Sequence, residues 1–134
     1  MNANATHSPK KSAQFVGLRY VTHEQPGISR ERCGQGFRYR SAKCKVIRDR
    51  HTLKRISSLV IPPAWEEVWI CPLDRGHLQV TGQDERGRKQ YLYHPRWREV
   101  RDQTKYDRLM DFARALPGIR NQIKRDLKRE GLCR

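Results

Sequence analysis

The chain has 134 residues, 36% of them apolar and 32% charged, and 29 Lys/Arg against 14 Asp/Glu leave a formal charge of +15. No stretch nears the ~18 consecutive apolar residues of a membrane helix, and residues 1–14 lack the apolar centre of a secretory signal, so a membrane-spanning or exported class is excluded. Collagen-like and coiled-coil compositions are absent too, which leaves a soluble, intracellular, strongly basic protein of one domain or one domain with a helical extension.

In chain order, residues 1–16 are polar and rich in Lys, Ser and Asn and read as a disordered basic tail. Leu18–Thr22 is a short strand candidate. Pro26-Gly27 and Gly34-Gln-Gly36 punctuate the next stretch, which reads as loop. Residues 37–40 and 45–48 alternate apolar and basic side chains, predicting a two-strand hairpin with a basic outer face. Asp49 has the place of a helix N-cap, with Leu53, Ile56, Leu59 and Val60 as the apolar positions and Pro62-Pro63 as the stop.

Residues 65–71 and 77–81 predict a hairpin joined through Pro72–Gly76. The Gly82–Gly87 turn then feeds a strand over 88–93. Pro95 sits at a helix N1 position. Helical spacing follows at Trp97, Val100, Leu109, Phe112, Ala113 and Leu116, and Pro117-Gly118 predicts a break. A last helix would run through Ile119, Ile123 and Leu127 to a stop at Gly131. The expected fold class is α+β: a small antiparallel β-sheet domain with one short helix over residues 17–94, then two C-terminal α-helices over 95–134.

Charge is distributed unevenly along this plan. Residues 37–55 carry a net +7 and residues 84–134 another +7, whereas the apolar middle, 56–83, carries −2. Such a field suits a polyanion, nucleic acid first and an anionic membrane surface second, although a solvated basic surface kept for solubility has the same composition. Cys33, Cys44, Cys71 and Cys133 form no C-x-x-C pair, so neither a zinc site nor a disulfide framework is expected, and no cofactor or metal is.

The most informative run is Thr81–Trp97, TGQDERGRKQYLYHPRW. Gly82 and Gly87 would form a tight turn exposing Arg86, Arg88 and Lys89. Alternation along the strand puts Lys89, Tyr91 and Tyr93 on one face and Arg88, Gln90 and Leu92 on the other. A cation beside two phenols can neutralise and hydrogen-bond a phosphate backbone, and a glutamine can pair with an adenine edge. Core aromatics with satisfied hydroxyls would give the same pattern.

This run, with Leu18-Arg-Tyr-Val, Gly36-Phe-x-Tyr39, Ile61-Pro-Pro-Ala-Trp-Glu-x-Val-Trp-Ile-Cys-Pro72, Gly76-His-Leu-Gln79, Arg98-x-Val-Arg-Asp102 and Lys105-Tyr-Asp-Arg108, resembles the N-terminal part of type IB DNA topoisomerases of the bacterial and poxvirus branch. The resemblance spans roughly residues 17–134. It implies a β-rich domain lying over the DNA major groove, with Gln90, Tyr91 and Tyr93 touching bases and phosphates. Arg86, Arg88 and Lys89 become candidate phosphate contacts, as do Arg101 and Lys105 on the first helix beyond.

Further implications concern what the chain would do. The expected partner is double-stranded DNA, with no membrane role, a monomeric state and a cytoplasmic, nucleoid-associated location in a bacterium. The family's metal-independent reaction uses a tyrosine nucleophile, arginines, a histidine or asparagine and a lysine acid in a later catalytic domain. No tyrosine here stands in a motif resembling that nucleophile, so no catalytic residue is assigned. The chain reads as the N-terminal clamp of such an enzyme, inert alone and wanting its C-terminal catalytic domain. A stand-alone basic nucleic-acid-binding module is the alternative.

Overall fold

The computed structural model describes residues 8–128, and the chain divides into two compact units at Arg98/Glu99. The predicted helix stop at Gly131 and Cys133 lie outside the described residues. The first unit holds five strands, β1 (Ile28–Cys33), β2 (Gly36–Arg40), β3 (Glu66–Ile70), β4 (Leu78–Gln83) and β5 (Lys89–Tyr93). They form one antiparallel sheet in the order β2-β1-β3-β4-β5. Helix α1 (Pro9–Phe15) precedes it, α2 (Arg50–Ser58) joins β2 to β3, and α3 (Pro95–Leu127) follows β5. The α+β class is as the sequence predicts.

One face of the sheet is closed by α2. Ile56 packs with Ile28, Val68, Ile70 and Val80, flanked by Tyr39, Leu59, Ile61, Trp65 and Leu92. The α2 start is set by Asp49, whose carboxylate accepts from the Thr52 backbone N–H at 2.9 Å and from its hydroxyl at 2.7 Å. Its position along the sheet is set by Arg55. That guanidinium donates to the Cys71 carbonyl at 2.6 Å and Gln79 Oε1 at 2.9 Å, and its Nε pairs with Asp74 at 3.0 Å. Gln79 in turn donates to the carbonyls of Asp74 and Gly76, so the β3–β4 turn is tied at both sides.

The opposite face is crossed by residues 18–27. Val21 packs with Cys71, Leu78, Trp69 and Tyr93. The Trp69 indole N–H donates to the Gln25 carbonyl at 2.9 Å. Gly27 is required here, since a Cβ would fall 2.1 Å from Trp69 Nε1. Strand β4 lies between both coverings, which is why all of Leu78–Gly82 is buried.

Before α3, four sequence expectations differ from this fold. Residues 8–16 do not continue a disordered tail: α1 occupies Pro9–Phe15 because Ala13, fully buried, packs on Leu18 and Trp97. Residues 18–22 are not a strand; one parallel bridge, Arg19 to Gly76, is all they form. The stretch read as loop is β1, the hairpin partner of β2, because Gly34 at φ +60° opens a two-residue turn that closes Cys33 onto Gly36. Residues 45–48 reach β2 only through the Arg40–Val46 bridge.

The C-terminal plan of two helices is replaced by one 33-residue helix with Pro117 inside it. Proline removes a single i→i−4 bond, and propagation on both sides continues to add a bond per residue. In the second unit this helix leaves Tyr106, Leu109, Met110, Phe112, Ile119, Ile123 and Leu127 exposed.

Stability should therefore reside in the sheet core. Ile70→Ala is expected to lower the unfolding free energy by about 2–5 kcal/mol, measured by urea denaturation, because Ile70 is fully buried. Leu109→Ala, at a 59% exposed position, should change it by under about 0.5 kcal/mol.

Candidate nucleic-acid interface

The turn before β5 is built around one carboxylate. Asp84 Oδ1 accepts from the backbone N–H groups of Arg86 and Arg88, both at 2.9 Å. Its Oδ2 accepts from Arg88 Nε at 2.9 Å, Arg88 Nη2 at 2.8 Å and Gln90 Nε2 at 3.0 Å. Gly87 closes the turn at φ +71°, donating to the Asp84 carbonyl at 2.8 Å. The Arg88 backbone N–H, then the Arg88 and Gln90 side chains, hold the Asp84 carboxyl down at about 2. It is thus ionised wherever the protein is folded near neutral pH.

This arrangement sorts the candidate residues. Asp84 takes Nε and Nη2 of Arg88, whose side chain is 64% exposed, and Nε2 of Gln90, so it holds both side chains in place. Arg86 projects exposed from the turn and makes no ion pair among the described residues. On β5, Lys89, Tyr91 and Tyr93 share a face opposite Gln83, Thr81 and Leu78 of β4. Lys89 Nζ lies 2.5 Å from His23 Nε2, on the segment that crosses this face.

The two tyrosines differ in setting. Tyr91 is 43% exposed, whereas Tyr93 is half-buried against Val21, Cys71 and Leu78. Their rings stack at 6.2 Å and 11°. Tyr93 is in part a core aromatic, and Tyr91 is a surface one.

Pairing across the sheet extends the face beyond the sequence candidates. Ser29, Glu31, Arg38 and Arg40 stand at facing positions of β1 and β2 on the side that carries Trp69, Thr81 and Tyr91. Arg40 Nε reaches Glu31 Oε2 at 2.7 Å and Arg38 Nη2 reaches it at 3.5 Å. Two guanidiniums share one carboxylate, leaving the pair with excess positive charge. Arg38 and Arg40 were not singled out as candidates. Their signal was the basic alternation over 37–40, legible as a face but not as one shared with β5.

On the other side of the sheet, Arg30 is structural: its Nη2 donates to the Pro62 and Trp65 carbonyls at 3.0 and 2.6 Å, and it lies over the Phe37 ring at 4.2 Å. Arg101 and Lys105 belong to the second unit, exposed and one helical turn apart on α3.

The lower end of the β5 face rests on His77, 5% exposed. Its Nδ1 accepts from the Val21 backbone N–H at 3.1 Å. The ring stacks on Tyr20 at 4.4 Å and meets the Trp97 edge at 4.9 Å. Burial pushes the imidazole pKa below its ordinary value, offset in part by the Arg19 carbonyl. With Nδ1 accepting, the neutral ring carries its proton on Nε2.

Among the described residues no group of three or more His, Cys, Asp or Glu is placed to hold a metal ion, and no helix is long and apolar enough to cross a membrane. Residues 36–84 match the family described as bacterial DNA topoisomerase IB, N-terminal domain. Over 104 residues the chain is 34% identical to DNA topoisomerase 1B of Acanthamoeba polyphaga mimivirus, a match covering 78% of this chain and 31% of that relative. The chain thus spans about a third of the length of the relative it matches.

His77 makes a pH-dependent contribution to stability whose sign follows from its depressed folded-state pKa. Stability is complete above the unfolded value of ~6.5 and is lost as pH falls below it, because the unfolded chain takes up the proton more readily. The urea midpoint should drop between pH 7.5 and pH 5. His77→Asn, which keeps an acceptor for Val21, should lower the midpoint at pH 7.5 and flatten that dependence.

Proposed function

Since the chain carries a type IB DNA topoisomerase N-terminal region, we propose that it binds duplex DNA through the sheet face bearing Lys89, Tyr91, Arg38 and Arg40. One observation carries this reading. A single carboxylate, Asp84, pairs with Arg88 and fixes the turn, leaving Arg86 displayed on the turn and Lys89 and the Tyr91 phenol on the edge strand that follows. Five strands at ~4.8 Å spacing put β2 and β5 about 19 Å apart. The DNA major groove is ~12 Å wide, so the two basic edges, on either side of the crossing segment 18–27, can each lie near a flanking phosphate backbone.

In this reading each group has a distinct task. Lys89 and Arg86 neutralise phosphates on the β5 side, and Arg38 and Arg40 do so on the β2 side. Tyr91 donates its hydroxyl to a phosphate or a base edge, held in orientation by the Tyr93 ring beneath it. Gln90 reads a base only by leaving Asp84. Arg101 and Lys105 add backbone contacts from the helix. Relaxation of supercoils through a phosphotyrosyl intermediate belongs to the full-length enzyme; this region's part is to position the duplex.

The test is fluorescence anisotropy with a 20-base-pair duplex over a range of salt. If five or six cations meet phosphates, log K should fall against log salt with a slope of about −5. Tyr91→Phe with Tyr93→Phe preserves both rings and should weaken binding by about 1–3 kcal/mol through lost hydrogen bonds. An unchanged affinity would assign both tyrosines to packing alone. Glu31→Gln should tighten binding by releasing the charge of Arg38 and Arg40.

A further inference from the structure

Beyond the β5 face the first unit has an open cleft of about 850 Å³ whose lining includes Lys10 and Gln14 of α1, Arg19, Tyr20, Asp74 and Arg75. The two arginines are fixed at neighbouring places by the backbone: Arg19 N–H donates to the Arg75 carbonyl at 2.7 Å, and the His77 N–H donates to the Arg19 carbonyl at 2.9 Å. Lys10 and Gln14 lie one turn apart on α1, which is anchored by the packing of Ala13 on Leu18 and Trp97. Among the described residues lining the cleft, Asp74 is the one carboxylate, and it is taken by Arg55 at 3.0 Å. Lys10, Arg19 and Arg75 make no ion pair among the described residues and are all exposed.

Three cations gathered at one cleft without a counter-charge raise the local potential, and an anion relieves it. The cleft is also continuous with the β5 face through rings. Tyr20, in its wall, stacks on His77 at 4.4 Å; His77 lies 6.1 Å from Tyr93; Tyr93 lies 6.2 Å from Tyr91. At ~3.4 Å rise per base pair these three steps amount to at most about five base pairs along a duplex. A duplex seated on β5 therefore runs within reach of the cleft. Resting on the DNA-binding reading above, we propose that Lys10, Arg19 and Arg75 form a second phosphate-binding site, which takes the backbone of the same duplex a few base pairs from the Tyr91 contact.

The experiment is an amide chemical-shift titration of the 134-residue chain with a 20-base-pair duplex, alongside the salt dependence of affinity. Shifts at Gly17, Arg19 and Arg75 together with those at Lys89 and Tyr91 are expected. The variant K10A/R19A/R75A should keep the β5 shifts, lose those at the cleft and bring the salt slope back to about −5 from the roughly −8 that the added cleft contacts give, near 0.9 for each phosphate contact removed. Shifts confined to β5, with cleft amides unmoved, would overturn the second site and leave the DNA-binding reading standing. No shift anywhere would overturn both. Cleft shifts produced equally by inorganic phosphate at matched ionic strength, and absent with DNA, would make it a small-anion site and likewise overturn the proposal.

Discussion

The neutral imidazole of His77 accepts a hydrogen bond from Val21, stacks on the Tyr20 ring and meets the Trp97 ring nearly at right angles. Everything packed on the second face of the sheet depends on that contact. It seats Val21 beneath the crossing segment and places Tyr20 at the cleft. The same ring is the surface on which Trp97, the first anchor of α3, rests, and Trp97 in turn packs on Ala13 of α1. A proton on Nδ1 would remove the acceptor and put a charge among rings where, among the described residues, no carboxylate is buried. A histidine suits this place because it is flat enough to stack and polar enough to satisfy a buried backbone N–H.

Electrostatics in the molecule is organised by a few carboxylates rather than by the sheer number of cations. Asp84, Glu31 and Asp74 each take arginines from the basic surplus and use them to shape a turn, a hairpin or a helix contact. What they leave over is patterned: Arg86 and Lys89 at one sheet edge, excess charge on Arg38 and Arg40 at the other, and Lys10, Arg19 and Arg75 at the cleft. The Glu31 pairs lie nearest the solvent, where ion pairs add little to stability and are screened by salt. The consequence of these pairings lies in where unneutralised charge remains, which is the property a polyanion responds to.

The similarity to DNA topoisomerase 1B of mimivirus extends over 78% of the chain at 34% identity. The family match over residues 36–84 covers β2 through β4 and ends at the carboxylate that orders the turn. Among its described residues the second unit is a continuation of α3 with seven large apolar side chains exposed and none buried.

The sequence by itself determined the elements whose signals are local. Asp49 before an amphipathic run starts α2, alternation bounded by Pro and Gly marks β3, β4 and β5, and Pro95 opens α3. Each rests on interactions within a few residues, so composition and spacing suffice. The alternation that puts Lys89, Tyr91 and Tyr93 on one face held for the same reason. Tertiary structure decided what depends on distant partners. Residues 9–15 are helical because Trp97 covers Ala13, and β1 is a strand because β2 and β3 hold its two edges. Arg88 and Gln90 lost their freedom to Asp84 through side-chain geometry that no spacing specifies. Arg38 and Arg40 joined the face of Tyr91 only once the strand order put β2 and β5 at opposite edges of one sheet, since that order is fixed by burial of Ile28, Ile70 and Val80 against α2, a non-local choice.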